Sequence, residues 1–215
     1  MGNTSGDGNK PRNFDDAATS WDDEPRRVRL ASEVAAAIRA EVGVTRYMTA
    51  LDYGCGTGLV TLCLQPHVGT ITGADTSDGM LQVLREKVAS RGVANVATVH
   101  LEPDQETFPS ESFDLLVSSM TLHHVEDVAK LLVEFYRILR PGGVLAIADL
   151  DAEDGSFHGH GLAAAHSGFD RERMRVMLVK AGFRGIRDTT AATVEKNDAA
   201  AEIRTYTVFL MTAEK

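Results

Sequence analysis

The chain has 215 residues, which against a prior of about 150 per domain reads as one domain with extra segments. Hydrophobic side chains at 43% and charged ones at 25% exclude a wholly disordered chain, a collagen-like fibre and a coiled coil. The 22 basic and 31 acidic side chains give a net charge of −9, a sign repelled by phosphate backbones and anionic membranes unless a basic patch intervenes. The nearest patch, Arg171, Arg173 and Arg175, is interrupted by Glu172 and Met174 and reads as a solvated helix face.

Two cysteines, Cys55 and Cys63, suggest a reduced, cytoplasmic protein rather than a disulfide framework. No apolar run approaches the ~20 residues of a membrane helix, and the polar start does not read as a signal peptide. The first 13 residues are polar and glycine-rich, the composition of a loose arm. Phe14 and Trp21 follow as anchors, so residues 1–23 are expected to form a flexible arm and possible lid ahead of a single domain over 24–215.

Helical spacing begins at 24–42, where Pro25 suits a first turn and Val28, Ala31, Val34, Ala35, Ile38 and Val42 recur on one face. A strand follows over 48–53, then a glycine-rich loop and a short helix to residue 64. The next strand spans 70–74 and ends at Asp75; Ser77 can cap a helix running to residue 90. Strands are expected over 95–101 and 113–119, and the clearest helix over 127–140, stopped by Pro141-Gly142-Gly143. A fifth strand over 144–150, a helix over 170–181, and two strands over 183–194 and 205–212 complete the pattern.

Strands alternating with helices, then two strands together, argue an α/β fold: a mostly parallel sheet with helices on both faces and an antiparallel edge. In such sheets ligands bind at the carboxyl ends of the strands where strand order reverses. The site should therefore lie over the ends of the first, second and fourth strands.

Gly54-Cys55-Gly56-Thr57-Gly58 stands at that point. Alternate glycines let the backbone approach a ligand, and a loop opening a helix points amides at what binds there. Asp75 ends the second strand 21 residues after Gly54, where an acid typically grips a ribose. The dinucleotide fingerprint would need a third glycine at position 59, which is Leu59.

Leu51-Asp52-Tyr53-Gly54-Cys55-Gly56-Thr57-Gly58 resembles the first motif of class I S-adenosylmethionine-dependent methyltransferases, and the likeness runs over about 52–183. It implies a Rossmann-like, doubly wound, seven-stranded sheet of order 3-2-1-4-5-7-6. It also implies that Gly54, Cys55, Gly56 and Gly58 hold the methionine end of the cofactor, with Asp52 near its amino group. Asp75 would bind the ribose, with Thr76 and Met80 beside ribose and adenine. Glu102-Pro103-Asp104 fills the register of the family's adenine-contacting stretch, although proline removes a backbone donor there. Phe113 to Val125 is similar to the fourth strand and its loop, which directs Ser118 and one of the histidines, His124, at the cofactor.

Histidine is the usual base where an acceptor must lose a proton near neutral pH. His123 follows the fourth strand; His158, His160 and His166 follow the fifth. His123, His158 and His166 are the candidate catalytic groups, set against purely structural roles for each. A metal held by His158, His160 and His166 is an alternative that lacks a convincing carboxylate or cysteine ligand, so no metal site is assigned. The expected activity is methylation of a small-molecule acceptor with S-adenosylmethionine, leaving S-adenosylhomocysteine. Acidic charge argues against nucleic acid as substrate, and no oligomeric state is legible. A cofactor-binding regulatory module and an NAD-dependent oxidoreductase on the same topology are the rival readings.

Overall fold

The structure, a computed structural model, describes residues 14–102, 105, 107–157, 164–197 and 203–215. Seven strands form one sheet: β1 (Thr49–Tyr53), β2 (Thr70–Asp75), β3 (Val96–His100), β4 (Phe113–Ser119), β5 (Leu139–Leu150), β6 (Arg184–Asn197) and β7 (Ile203–Glu214). Their order is β3-β2-β1-β4-β5-β7-β6, as the resemblance implies. The first five strands pair in parallel, and β7 runs antiparallel to both β5 and β6. Strand order reverses between β1 and β4, so the carboxyl ends of β1, β2 and β4 meet at one edge of the sheet.

Six helices flank the sheet among the described residues: α1 (Phe14–Ala17), α2 (Pro25–Val42), α3 (Leu59–Leu64), α4 (Asp78–Ser90), α5 (Val128–Ile138) and α6 (Arg171–Ala181). Strand alternation sorts the core into two layers. Leu51, Leu116, Ile147, Phe209 and Met211 point to one face, where Leu132 and Phe135 of α5 and Met174 and Leu178 of α6 close over them. Ala50, Leu115, Val117, Ala148 and Leu210 point to the other, against Val34 and Ile38 of α2 and Val60 and Leu64 of α3. Central strands buried on both faces carry apolar residues on both, as Leu115, Leu116 and Val117 do in β4.

Local chemistry sets the helix ends. Ser77 accepts from the Met80 amide at 3.1 Å, Asp127 from Lys130 at 2.9 Å and Asp170 from Arg173 at 2.9 Å. Glycines close α2 and α6 with left-handed caps, Gly43 at φ 66° and Gly182 at φ 107°.

Two expectations change. Helix α5 stops at Ile138 and the chain is already extended from Leu139, so Pro141-Gly142-Gly143 lies within β5 rather than ahead of it. Gly142 takes φ +77°, and the pairing with β4 jumps from Phe113–Leu139 to Leu115–Val144, so the motif builds a bulge. Residues 14–23, expected within a flexible arm, form α1 and a 3-10 turn (Ala18–Asp23) seated against α4.

Leu132 is fully buried under the sheet and Val133, its neighbour in sequence, is 57% exposed. Leu132→Ala is expected to cost about 2–5 kcal/mol in urea unfolding, and Val133→Ala within about 0.5 kcal/mol. Equal losses would contradict the assignment of α5's inner face.

Candidate active site

The β1 strand ends in a loop that would not close with ordinary side chains. Gly54, Gly56 and Gly58 all have positive φ, at 73°, 54° and 80°. A Cβ at Gly54 would lie 2.3 Å from Thr121 in the loop after β4, and one at Gly58 would lie 2.3 Å from Leu84 of α4. The loop is therefore pressed between the two elements that flank it.

Asp75 ties this loop to the end of β2. Its carboxylate accepts the Gly56 amide at 2.7 Å through one oxygen and the Ser77 amide at 3.0 Å through the other. Burial pushes the Asp75 carboxyl up from its ordinary range, while these amides pull it back. Behind the loop, Asp52 is 1% exposed and takes the Thr61 hydroxyl at 2.6 Å. Burial raises its carboxyl to about 6 against that hydrogen bond. The Cys55 thiol is pushed up by burial and by the two carboxylates, which leaves it a packing group rather than a nucleophile.

A cavity of about 450 Å³ opens in front of the loop, within the range of small-molecule pockets. Gly54, Gly56, Asp75, Thr76, Met80 and Leu101 line its β1–β2 side. Phe14 and Trp21 cover it, their rings 5.9 Å apart, with Phe14 edge-on to His124 at 5.4 Å. Two carboxylates hold this cover down. Asp15 accepts from the Ser77 hydroxyl at 2.6 Å and the Gly79 amide at 2.8 Å, and those bonds keep its carboxyl below the usual range. Asp22 accepts the Thr57 hydroxyl at 2.6 Å and pairs with Lys87.

On the β4–β5 side the cavity wall includes His123. Its Nδ1 lies 2.6 Å from Asp149 Oδ1 at the end of β5, with both side chains 1% exposed or less. The same carboxylate takes the Leu150 amide at 2.7 Å and the His123 amide at 3.3 Å. A carboxylate in that position accepts, so Nδ1 is a nitrogen that carries a proton. Met120, also in the wall, is held at φ 56°, a strained value for a residue with a side chain.

A methyltransferase-domain family profile matches residues 51–147, the span from the glycine loop through β5. The chain is 39% identical over 111 residues to the demethylmenaquinone methyltransferase of Staphylococcus aureus, covering 50% of this chain and 45% of that protein. It is 34% identical over 120 residues to an uncharacterized methyltransferase of Schizosaccharomyces pombe, covering 53% of this chain and 42% of that one. The chain thus spans less than half the length of these curated relatives. An S-adenosylmethionine-dependent methyltransferase of Aquifex aeolicus superposes with a TM-score of 0.68 at 24% identity, covering 92% of this chain and 97% of that one. Residues 51–147 thus match the methyltransferase-domain family, and the chain has the fold of solved S-adenosylmethionine-dependent methyltransferases. The phosphoethanolamine N-methyltransferase 2 of Haemonchus contortus, solved with S-adenosylmethionine, shares the fold at a TM-score of 0.67 and 20% identity, covering 85% of this chain and 52% of that one.

Within this methyltransferase fold the expected site residues divide. Gly54, Cys55, Gly56, Asp75, Thr76, Met80, His123 and His124 share the cavity wall. Asp52, Gly58, Ser118 and Glu102 do not reach it. Asp52 and Gly58 support the loop from behind, the first through Thr61 and the second against Leu84. Ser118 is fully buried and donates to the Tyr53 carbonyl at 3.0 Å, because strand parity turns it inward and leaves Ser119 in the wall. Glu102 is exposed, 3.7 Å from His100, and Leu101 takes the wall position instead. His166 also stands back: its amide donates to the His123 carbonyl at 3.0 Å and its Nε2 to the Val125 carbonyl at 2.9 Å, so it braces the His123 loop. Pro103, Asp104, His158 and His160 lie outside the described residues. Asp149, Met120, Arg27, Phe157 and Lys196 were not singled out for this site by the sequence; the acid near the end of the fifth strand was the one available signal.

The Asp52 carboxyl ionises near 3.8 in an unfolded chain and near 6 in the fold, so losing its proton penalises the folded state. The penalty is absent below pH 3.8 and complete well above pH 6, reaching about 3 kcal/mol. Asp52→Asn should therefore stabilise the cofactor-free protein by up to that amount at pH 7.5 and by little at pH 4, measured by urea unfolding. A gain that is the same at both pH values would contradict a protonation origin.

Proposed function

We propose that this chain transfers a methyl group from S-adenosylmethionine to a small-molecule acceptor whose reacting atom gives up a proton. The observation that carries the reading is the Asp75 bridge, with Gly56 N at 2.7 Å, in the wall of the cavity that His123 also lines. The curated relatives are methyltransferases, and the neighbours of known structure include one solved with this cofactor.

The residues present fit that cofactor. Each Asp75 oxygen accepts one amide and retains a lone pair, the capacity that two ribose hydroxyls need. Met80, Thr76 and Leu101 give the neighbouring wall an apolar surface suited to adenine. Asp75, with Asp52 one layer behind, places negative charge beneath a loop that would receive a cationic methionine end. When bound, S-adenosylmethionine supplies a methyl group whose C–S bond breaks with its electron pair left on sulfur, while an acceptor lone pair forms the new bond to carbon.

The chain's own work is alignment and proton removal. Asp149 holds His123 in the tautomer whose Nε2 accepts the acceptor's proton, and His166 fixes the loop that carries it. Phe14 and Trp21, latched through Asp15 and Asp22, act as a lid that excludes water. A covered cavity in a chain of net charge −9 favours a small acceptor over nucleic acid.

Asp75→Ala is expected to weaken S-adenosylhomocysteine binding by about tenfold or more in calorimetric titration, through loss of charge-assisted hydrogen bonds. His123→Ala should keep that affinity and lose roughly 10²–10⁴ in transfer of labelled methyl to a metabolite extract. Asp149→Asn should lower the same rate and alter its pH profile. Binding of NAD in place of S-adenosylhomocysteine would refute the reading, as would cofactor binding with no labelled product.

A further inference from the structure

Apart from Asp75 and the residues beside it, the cavity wall is largely apolar. Phe14, Trp21 and Phe157 contribute rings, with Leu30, Met120 and Val194 among them. Charged residues also reach this wall, and they carry both signs. Each of them is tied to other groups of the protein. Glu24 and Arg26 form a two-point pair, with 2.9 Å contacts to both carboxylate oxygens. The Arg26 guanidinium holds the Glu24 carboxyl down at about 2, and Arg27 adds to the effect. Arg27 lies with its Cζ 3.8 Å from the Trp21 ring centroid and donates to the Trp21 carbonyl at 2.9 Å. Lys196 stands with its Nζ 4.2 Å from the Phe157 ring centroid and donates to the Phe157 carbonyl.

An ionised acceptor gains little from such a wall. It gives up hydration on entering, and the charged groups it meets are already bonded and of both signs. A neutral molecule avoids that cost, and ring surface favours a conjugated ring over a saturated one. The proton that must leave narrows the class further. A phenolic hydroxyl ionises near pH ~10, whereas an aliphatic alcohol is about as weak an acid as water, at roughly 15.7. Of the two, the phenol is the one an imidazole deprotonates near neutral pH.

We propose that the acceptor is an uncharged phenol, its ring packed among Phe14, Trp21 and Phe157 and its hydroxyl oxygen the atom that takes the methyl group. This specificity rests on reading the cavity as a methyl-transfer site with His123 as base, and names what that site accepts. The hydroxyl proton passes to His123, an oxygen lone pair forms the bond to the methyl carbon, and the C–S bond breaks with its electron pair left on sulfur. The products are an aryl methyl ether and S-adenosylhomocysteine.

Four matched probes test it by calorimetric titration into protein saturated with S-adenosylhomocysteine: 4-ethylphenol, 4-ethylbenzoate, 4-ethylbenzylamine and 4-ethylcyclohexanol. The phenol is expected to bind about tenfold or more tightly than either ion, and about threefold or more tightly than the saturated alcohol. Phe157→Leu should narrow the lead over the saturated alcohol to within about twofold and leave S-adenosylhomocysteine affinity within about twofold of the parent. With S-adenosylmethionine, the phenol should yield 1-ethyl-4-methoxybenzene in gas chromatography with mass detection. Tighter binding of the benzoate or the amine, equal binding of phenol and saturated alcohol, methylation at a ring carbon, or a lead that survives Phe157→Leu would overturn the proposal. If Phe157→Leu does not fold, the ranking on the parent protein decides. Labelled product from a metabolite extract but none from the phenol would overturn the phenol assignment alone. If S-adenosylhomocysteine fails to bind, or neither source yields product, the methyl-transfer reading falls with it.

Discussion

The site depends on one carboxylate placed between two strands. Asp75 ends β2 and bonds the amide of Gly56 in the loop after β1, so two segments 19 residues apart behave as one wall. Everything around it accommodates that contact. Glycine is required where the loop passes Thr121 and Leu84, and Ser77 turns the chain from Asp75 into α4 while receiving the Asp15 latch. The parallel sheet makes the arrangement rigid, because β1 and β2 pair in register from Thr49–Thr70 to Tyr53–Ala74 immediately below it.

The second wall is built on the other side of the reversal in strand order. β4 delivers His123 and β5 delivers Asp149, and their 2.6 Å contact is buried under the sheet's carboxyl edge. One pole of the cavity therefore presents backbone amides and a carboxylate, and the other a histidine oriented by Asp149. The N-terminal turns span both, since Asp15 and Asp22 bond to the first wall while Phe14 packs on His124 in the second. These contacts tie the N-terminal turns to the integrity of the glycine loop.

Much of this was legible in the sequence because it is encoded locally. The glycine spacing, an acid at the end of a short apolar run and the cap residue Ser77 are signals within a few residues of what they control. Strand alternation and helix periodicity mark the elements, while the sheet order came with the resemblance carried by the glycine-loop motif. What stayed hidden depends on long-range pairing. Asp149 near the end of β5 and Asp151 just beyond it have the same parity, yet one meets His123 and the other takes Arg171 and the Thr207 hydroxyl. His166 reads as a reactive histidine in a loop, and only the fold shows it bonded to the backbone of its neighbours. Ser118 fails for a simpler reason: a strand alternates faces, and one residue's shift turns a ligand contact into a core hydrogen bond. That Arg27 and Lys196 line one cavity has no sequence signature, because the two are separated by nearly the whole domain.

A crystal structure grown with S-adenosylhomocysteine tests the central claim most directly. The account predicts ribose hydroxyls within hydrogen-bonding distance of both Asp75 oxygens, with Gly54, Gly56 and Gly58 still at positive φ. A nucleoside bound elsewhere on the sheet edge, or an Asp75 carboxylate that contacts only protein in the complex, would contradict it.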